Sequence, residues 1–173
     1  MMFVIKVILS ALIVGITGYI GWLKARRLKD REYILREMVT FLGMVQNEMK
    51  YNMAVLPNAC EVARQKLTTA LKPALGQIVV DMLACENIAA TELSMVENIS
   101  QIEGLTDYDK NVFVSLLKNL GRSDLDSQMN IIQNGICVIN NQIEEANQVK
   151  LKNSKLYKTV GVIAGLMIVV ICI

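Results

Sequence analysis

The chain has no histidine among its 173 residues, so it lacks the commonest general base near neutral pH and the commonest transition-metal ligand. Most hydrolase and metalloenzyme readings fall with that absence. Aromatic residues make up 5% of the sequence and prolines number two, while Leu, Ile, Met, Ala, Lys, Glu and Gln dominate, a helix-forming rather than strand-forming composition. The four cysteines, Cys60, Cys85, Cys137 and Cys172, lie far apart and have no paired spacing for a zinc site or a redox dithiol. They read as small buried hydrophobes in a reducing compartment. No glycine-rich phosphate loop, no serine with a plausible base and no cysteine–histidine arrangement occurs. The acids Asp124, Asp126, Glu144 and Glu145 read as helix caps or solvated side chains. No catalytic, cofactor-binding or metal-binding residue is assigned, and an enzyme is not expected. Charge is also near balance, with 18 basic against 16 acidic residues, so no basic face points to nucleic acid.

What is present is apolar: 53% of the residues are hydrophobic, above the usual share for a soluble domain, and the surplus is expected in lipid. Residues 7–23 carry no charge, and with Lys6 near the terminus the stretch 1–23 is long enough as a helix to span about 30 Å. A cleaved signal peptide is the competing reading, with Lys6 as its basic end. Against it, Gly18-Tyr19-Ile20-Gly21-Trp22-Leu23 places bulky residues where cleavage needs small ones, and Tyr19 and Trp22 fit an interfacial aromatic belt. A second run, 160–173, is uninterrupted but reaches only about 21 Å. Begun at Leu156, with Lys155 and Lys158 snorkelling, it reaches about 27 Å. Gly161 and Gly165 form a G-x-x-x-G pair there, a spacing that permits close contact between membrane helices. Lys24, Arg26, Arg27, Lys29 and Arg31 follow the first run, and Lys150, Lys152, Lys155 and Lys158 precede or enter the second. The positive-inside rule then puts the middle of the chain in the cytoplasm and both termini on the far side.

The middle reads as all-α. Leu28, Leu35, Met38, Leu42, Val45 and Met49 repeat in steps of three and four, the stripe of an amphipathic helix with a narrow packing seam that continues the first membrane helix. Pro57 opens a second helix to about Ala70, and Pro73 opens a third over Ala74 to Ala84. Thr91 precedes a fourth helix ending near Gly104. Thr106-Asp107 cap a fifth, in which Val112, Phe113, Leu116, Leu117 and Leu120 face the core and Gly121 supplies a left-handed stop. From Leu125 the residues Met129, Ile132, Ile136, Ile139, Ile143 and Ala146 repeat in threes and fours without a breaker, so one helix runs into the second apolar segment. Gly135 is a mild weakness in it, costing about 1 kcal/mol relative to Ala. The expected architecture is an antiparallel helical bundle, residues 24–155, with transmembrane helices 1–23 and 156–173 continuous with its first and last helices. Met38, Met44, Met49, Met53, Met82, Met95 and Met129 lie on or near apolar faces. Core filling is the simpler reading, and adaptable partner grooves also use Met in this way.

Glu48-Met49-Lys50-Tyr51, then Leu56 and Ala59-Cys60, and later Leu120-Gly121-Arg122-Ser123-Asp124 with Gln128 carry a resemblance over the whole chain. The chain resembles the stage III sporulation protein AB family, whose Leu-Gly-x-x-Asp-x-x-x-Gln run the last stretch matches. It departs from that pattern at Pro57, two positions later than the family's proline, and at Leu116-Leu117, where Phe-Gly is usual. The resemblance implies a non-enzymatic platform subunit of the sporulation channel that links mother cell and forespore, similar to the platform proteins of type II secretion and type IV pilus machines. Such a subunit would couple a cytoplasmic ATPase to membrane components, in the mother-cell membrane facing the forespore. The implied partners are membrane lipid, the other channel subunits with their assembly ATPase, and a further copy of the chain. The alternative is a membrane-tethered helical adaptor or signalling regulator. Glu48, Tyr51, Leu120, Gly121, Asp124 and Gln128 are the candidate interaction surface. Each of the later three has a local reading as well: Gly121 as a helix stop, Asp124 as an N-cap and Gln128 as a first-turn side chain.

Overall fold

Leu, Met, Ala and long polar side chains lose little rotamer freedom in a helix, and the described residues take that conformation almost throughout. The computed structural model describes residues 2–84, 88–120 and 124–172; most side chains of 1–25 and of 154–173 lie outside the described ones. Among the described residues there are six helices and no strand: α1 Met2–Tyr51, α2 Leu56–Gln65, α3 Leu71–Ala84, α4 Ile88–Ser100, α5 Asp107–Asn119 and α6 Leu125–Cys172. Three to six residues separate successive helices, and α2 packs on α3, α3 on α4 and α4 on α5.

Three helices differ in their bounds from the sequence expectation. Helix α2 stops at Gln65 rather than Ala70, where Lys66 and Leu67 donate their N–H groups to Ala63 and Arg64 in a tightened last turn. Helix α3 starts at Leu71, before Pro73, because the hydroxyl of Thr69 accepts from the Leu71 N–H and proline is tolerated in a first turn whose N–H groups lack helical partners. Helix α4 begins before Thr91 and ends at Ser100, four residues short of Gly104, which takes a φ of 92° in the following loop. The cap of α5 is as expected and more complete: Thr106 accepts from the Asp109 N–H at 3.2 Å, and the Asp109 carboxylate accepts from the Thr106 N–H at 3.0 Å.

The chain divides into two units, Met1–Arg31 with Glu145–Ile173, and Glu32–Glu144. In the first, Tyr19 and Trp22 stack with centroids 6.0 Å apart, Arg26 lies over the Trp22 ring at 5.5 Å, and the largely buried Arg31 reaches Glu145 at 3.7 Å. Among the described residues no helix is long and apolar enough to cross a membrane. The expected spanning segments 1–23 and 156–173 fall mostly on side chains outside the described ones, as does the Gly161–Gly165 pair.

The second unit is a helical bundle. Leu35, Met38, Leu42, Val45 and Met49 of α1 are buried as their spacing predicts, but Ile34 and Phe41 are buried with them. The stripe is therefore a broad face rather than a narrow seam, because α1 meets more than one neighbour: Phe41 packs edge-on against Phe113 of α5 at 6.2 Å, and Glu37 reaches the α2–α3 loop. On α5, Phe113, Leu116 and Leu117 are buried, joined by Val114 and by Leu120 just past the helix end, while Val112 is only half-buried. On α6, Ile132, Ile139 and Ile143 are buried, and Met129 and Ile136 are half-buried.

Gly135 is not a weak point on an exposed face. It is buried, and a Cβ built there would lie 1.7 Å from Leu116 Cδ1 and 3.0 Å from its Cγ, so the missing side chain is the hole that Leu116 fills. Gly135→Ala gains about 1 kcal/mol of helix propensity but must displace a buried leucine, which costs about 1–3 kcal/mol. The expected result is a net loss of stability, measured by thermal melting of the detergent-solubilised chain. Combined with Leu116→Ala, the same substitution is expected to cost less than it does alone, since the added methyl then enters vacated space.

The cysteines divide as well. Cys60 on α2 is buried, and burial pushes its thiol up to about 12; Cys137 on α6 is exposed, contrary to the expectation of a buried small hydrophobe. Cys85 lies outside the described residues, as does the side chain of Cys172. Brief treatment with iodoacetamide at pH 8 should alkylate Cys137 and spare Cys60, because the thiolate is the nucleophile and Cys60 is both protonated and shielded; peptide mass mapping reads the difference.

Candidate functional site

At one end of the second unit, α1, α3 and α5 finish and α2, α4 and α6 begin. The reversal from α1 to α2 is made by residues 52–55. The Glu48 carbonyl accepts from the N–H groups of Asn52 and Ala54, the Glu48 carboxylate accepts from Asn52 Nδ2 at 2.7 Å, and Met53 takes the left-handed conformation at φ 51°. Such a backbone is unfavourable for a residue with a side chain by about 1–2 kcal/mol, yet Met53 points into solvent, 76% exposed. Pro57 follows in the first turn of α2, where its missing N–H is harmless.

These reversing ends enclose a cavity of about 530 Å³, within the size range of small-molecule and side-chain pockets. Its walls are Met49 of α1, Met82 of α3, Met95 of α4, Leu117 and Leu120 near the end of α5, and Gln128 of α6. Val55 and Ile88 form part of the lining and remain 64% and 73% exposed, so apolar surface continues out of the cavity. Lys118 and Glu92, also in the lining, pair with each other at 3.5 Å.

The two stretches singled out in the sequence meet here. Met49, from the first, and Leu120 and Gln128, from the second, line the same cavity. Glu48 serves the turn through its hydrogen bonds, and Tyr51 is 71% exposed with Lys50 Nζ 5.4 Å from its ring centroid. Asp124 is an N-cap: its carboxylate accepts from the Ser127 hydroxyl at 2.7 Å and from the Ser127 N–H at 3.2 Å, and these bonds hold its carboxyl below the usual aspartate value. Gly121 lies outside the described residues. In the sequence Val55 and Ile88 carried no signal for a surface, and Met82 and Met95 read as core first and as a partner groove only second. Met82 and Met95 carry ordinary core periodicity, and only the helix ends around them turn that periodicity into a pocket wall.

Charge is less even than the total of +2 suggests. Between Glu32 and Glu144 the chain holds 14 acidic and 8 basic side chains, a net charge of −6. Among the described residues no group of His, Cys, Asp and Glu is arranged to hold a metal ion.

Neither the curated proteins nor the solved structures supply a match to the chain. The family model for stage III sporulation protein AB matches residues 6–173, nearly the full length. The chain therefore belongs to the stage III sporulation protein AB family, and its role lies in sporulation.

Proposed function

We propose that the chain is a membrane-held platform subunit of the sporulation channel between mother cell and forespore, which couples a cytoplasmic ATPase to membrane components without doing chemistry itself. The acidic helical unit is the cytoplasmic part, and the apolar runs 1–23 and 156–173 are its anchors. The basic residues that flank both runs support this topology, and Tyr19 and Trp22 with Arg26 over the ring suit a lipid–water boundary. The observation that carries the docking role is the Met-lined cavity on which Met49, Leu120 and Gln128 converge, with exposed apolar side chains around it and a strained turn beside it. An exposed apolar patch at a cavity is a common mark of a protein interface. Met walls adapt to an incoming side chain with little rearrangement cost.

The test is capture of the family's assembly ATPase by the full chain in lipid nanodiscs. Val55→Asp, which puts a carboxylate on the exposed apolar rim, is expected to lower capture about tenfold or more while circular dichroism stays helical. Asp124→Ala separates the local role of this side chain from a contact role. If the variant melts earlier through loss of the cap but captures the ATPase as well as the parent does, Asp124 serves the helix alone. If neither substitution changes capture, the cavity end is not the ATPase surface.

A further inference from the structure

Resting on the reading of the cavity end as a docking surface, we infer that its occupant is an amphipathic helix of a partner protein that carries Lys or Arg beside its apolar anchors. Three features select that chemistry. The cavity is walled by helices and by the turn that joins α1 to α2, and no strand occurs among the described residues, so an extended peptide has no sheet edge to extend. The space, about 530 Å³ and lined by Met49, Met82 and Met95, has the character of grooves that take the apolar face of a helix through anchors spaced three and four residues apart.

The third feature is charge. Among the described residues, Glu48, Glu92, Asp124 and Asp126 stand on the elements that form this end, against Lys50 and Lys118, and in the sequence between those elements Glu86 and Arg122 offset each other in charge. Lys118 is engaged by Glu92, and Lys50 lies over the Tyr51 ring, while Asp124 and Asp126 are exposed on the first turn of α6 and the residue before it. The end is therefore net acidic and sits on a unit of charge −6, which draws a basic partner toward the cavity and repels an acidic one.

Two synthetic helical peptides of about five turns test this, with the same Leu and Phe face, one flanked by Lys and the other by Glu. Binding is measured to the full chain in nanodiscs of zwitterionic phosphatidylcholine, with empty discs subtracted. The Lys peptide is expected to bind about tenfold or more tighter than the Glu peptide at low salt, with the gap closing at high salt. Ala54→Trp, which fills the cavity, is expected to weaken the Lys peptide at least tenfold. Asp126→Lys, a change on an exposed surface position that leaves the cavity walls intact, is expected to narrow the gap between the two peptides.

Equal binding of the two peptides, or Lys-peptide binding indifferent to both substitutions, overturns the inference. So does self-association of the chain that Val55→Asp abolishes, which would make a second copy the occupant, or a bound lipid found by native mass spectrometry and lost in Ala54→Trp. If ATPase capture depends on Ala54→Trp and Val55→Asp while both peptides are ignored, the docking surface stands and the basic helix falls.

Discussion

Replacing Phe113 by Ala is expected to cost the helical bundle about 3–5 kcal/mol, enough to consume much of the stability of a domain this size. Phe113 is fully buried and faces Phe41, also fully buried, with ring centroids 6.2 Å apart in an edge-on arrangement. Three terms act in the same direction: lost transfer free energy of the ring, the void left in a core that relaxes only in part, and the aromatic contact of about 0.5–1.5 kcal/mol. Chemical denaturation of the detergent-solubilised chain, followed by near-ultraviolet circular dichroism, reads the loss as a lower midpoint. A cycle with Phe41→Leu isolates the ring–ring part, since the two substitutions together should cost less than their sum. If Phe113→Ala shifts stability by under about 1 kcal/mol, α1 and α5 do not meet through these rings.

The second large effect lies at the opposite end of the bundle, where one carboxylate closes a loop. Glu37 Oε1 accepts from the Thr68 N–H at 2.9 Å and the Thr68 hydroxyl at 2.6 Å, and Oε2 accepts from the Thr69 N–H at 3.1 Å and the Thr69 hydroxyl at 2.6 Å. Because the Thr68 hydroxyl gives its hydrogen to Glu37, the Tyr33 hydroxyl 3.1 Å away is the donor in their contact. Hydrogen bonds to a charged group contribute about 1.5–3 kcal/mol where they are shielded, and these are partly open to water. Glu37→Ala is therefore expected to cost about 2–3 kcal/mol in total and to loosen the α2–α3 loop, which hydrogen exchange at Thr68 and Thr69 would register.

The same site gives a pH signature. Burial raises the pKa of Glu37, but the four hydrogen bonds from Thr68 and Thr69 outweigh it and hold the carboxyl below its ordinary value of 4.5. A group depressed in the folded state contributes stability that is fully present above the unfolded value and lost as pH falls through the folded one. Stability of the parent chain should thus decline below about pH 5, and Glu37→Gln should flatten that part of the profile. An unchanged acid limb in Glu37→Gln would mean that other carboxylates govern it.

Much of the helical layout is legible in the sequence because its signals are short-ranged. The buried residues of α1 recur every three or four positions, Thr106 caps α5 through Asp109 three residues on, and Asp124 caps α6 through Ser127. Each is an interaction within one turn of helix, so residue type and spacing suffice to foresee it. The family resemblance was legible for a related reason, since it rests on contiguous runs, and the match over residues 6–173 agrees with it.

The rest depended on which distant segments come together. Gly135 alone reads as a weak helix position; beside Leu116, 19 positions earlier in the sequence, it is a packing hole. Glu37 alone reads as one more surface acid, and the threonines it holds lie 31 and 32 residues away. The sequence offered residues from 48–51 and 120–128 as one surface, but only the packed bundle makes Met49, Leu120 and Gln128 walls of one cavity. By itself the sequence determined a helical layout with two apolar runs and capped helix starts, because these follow from residue chemistry within a turn or a window. The tertiary structure decided where a side chain is absent to admit another, which carboxylate closes a loop, and that the Met residues line a cavity, because each of these is a property of helices already packed against one another.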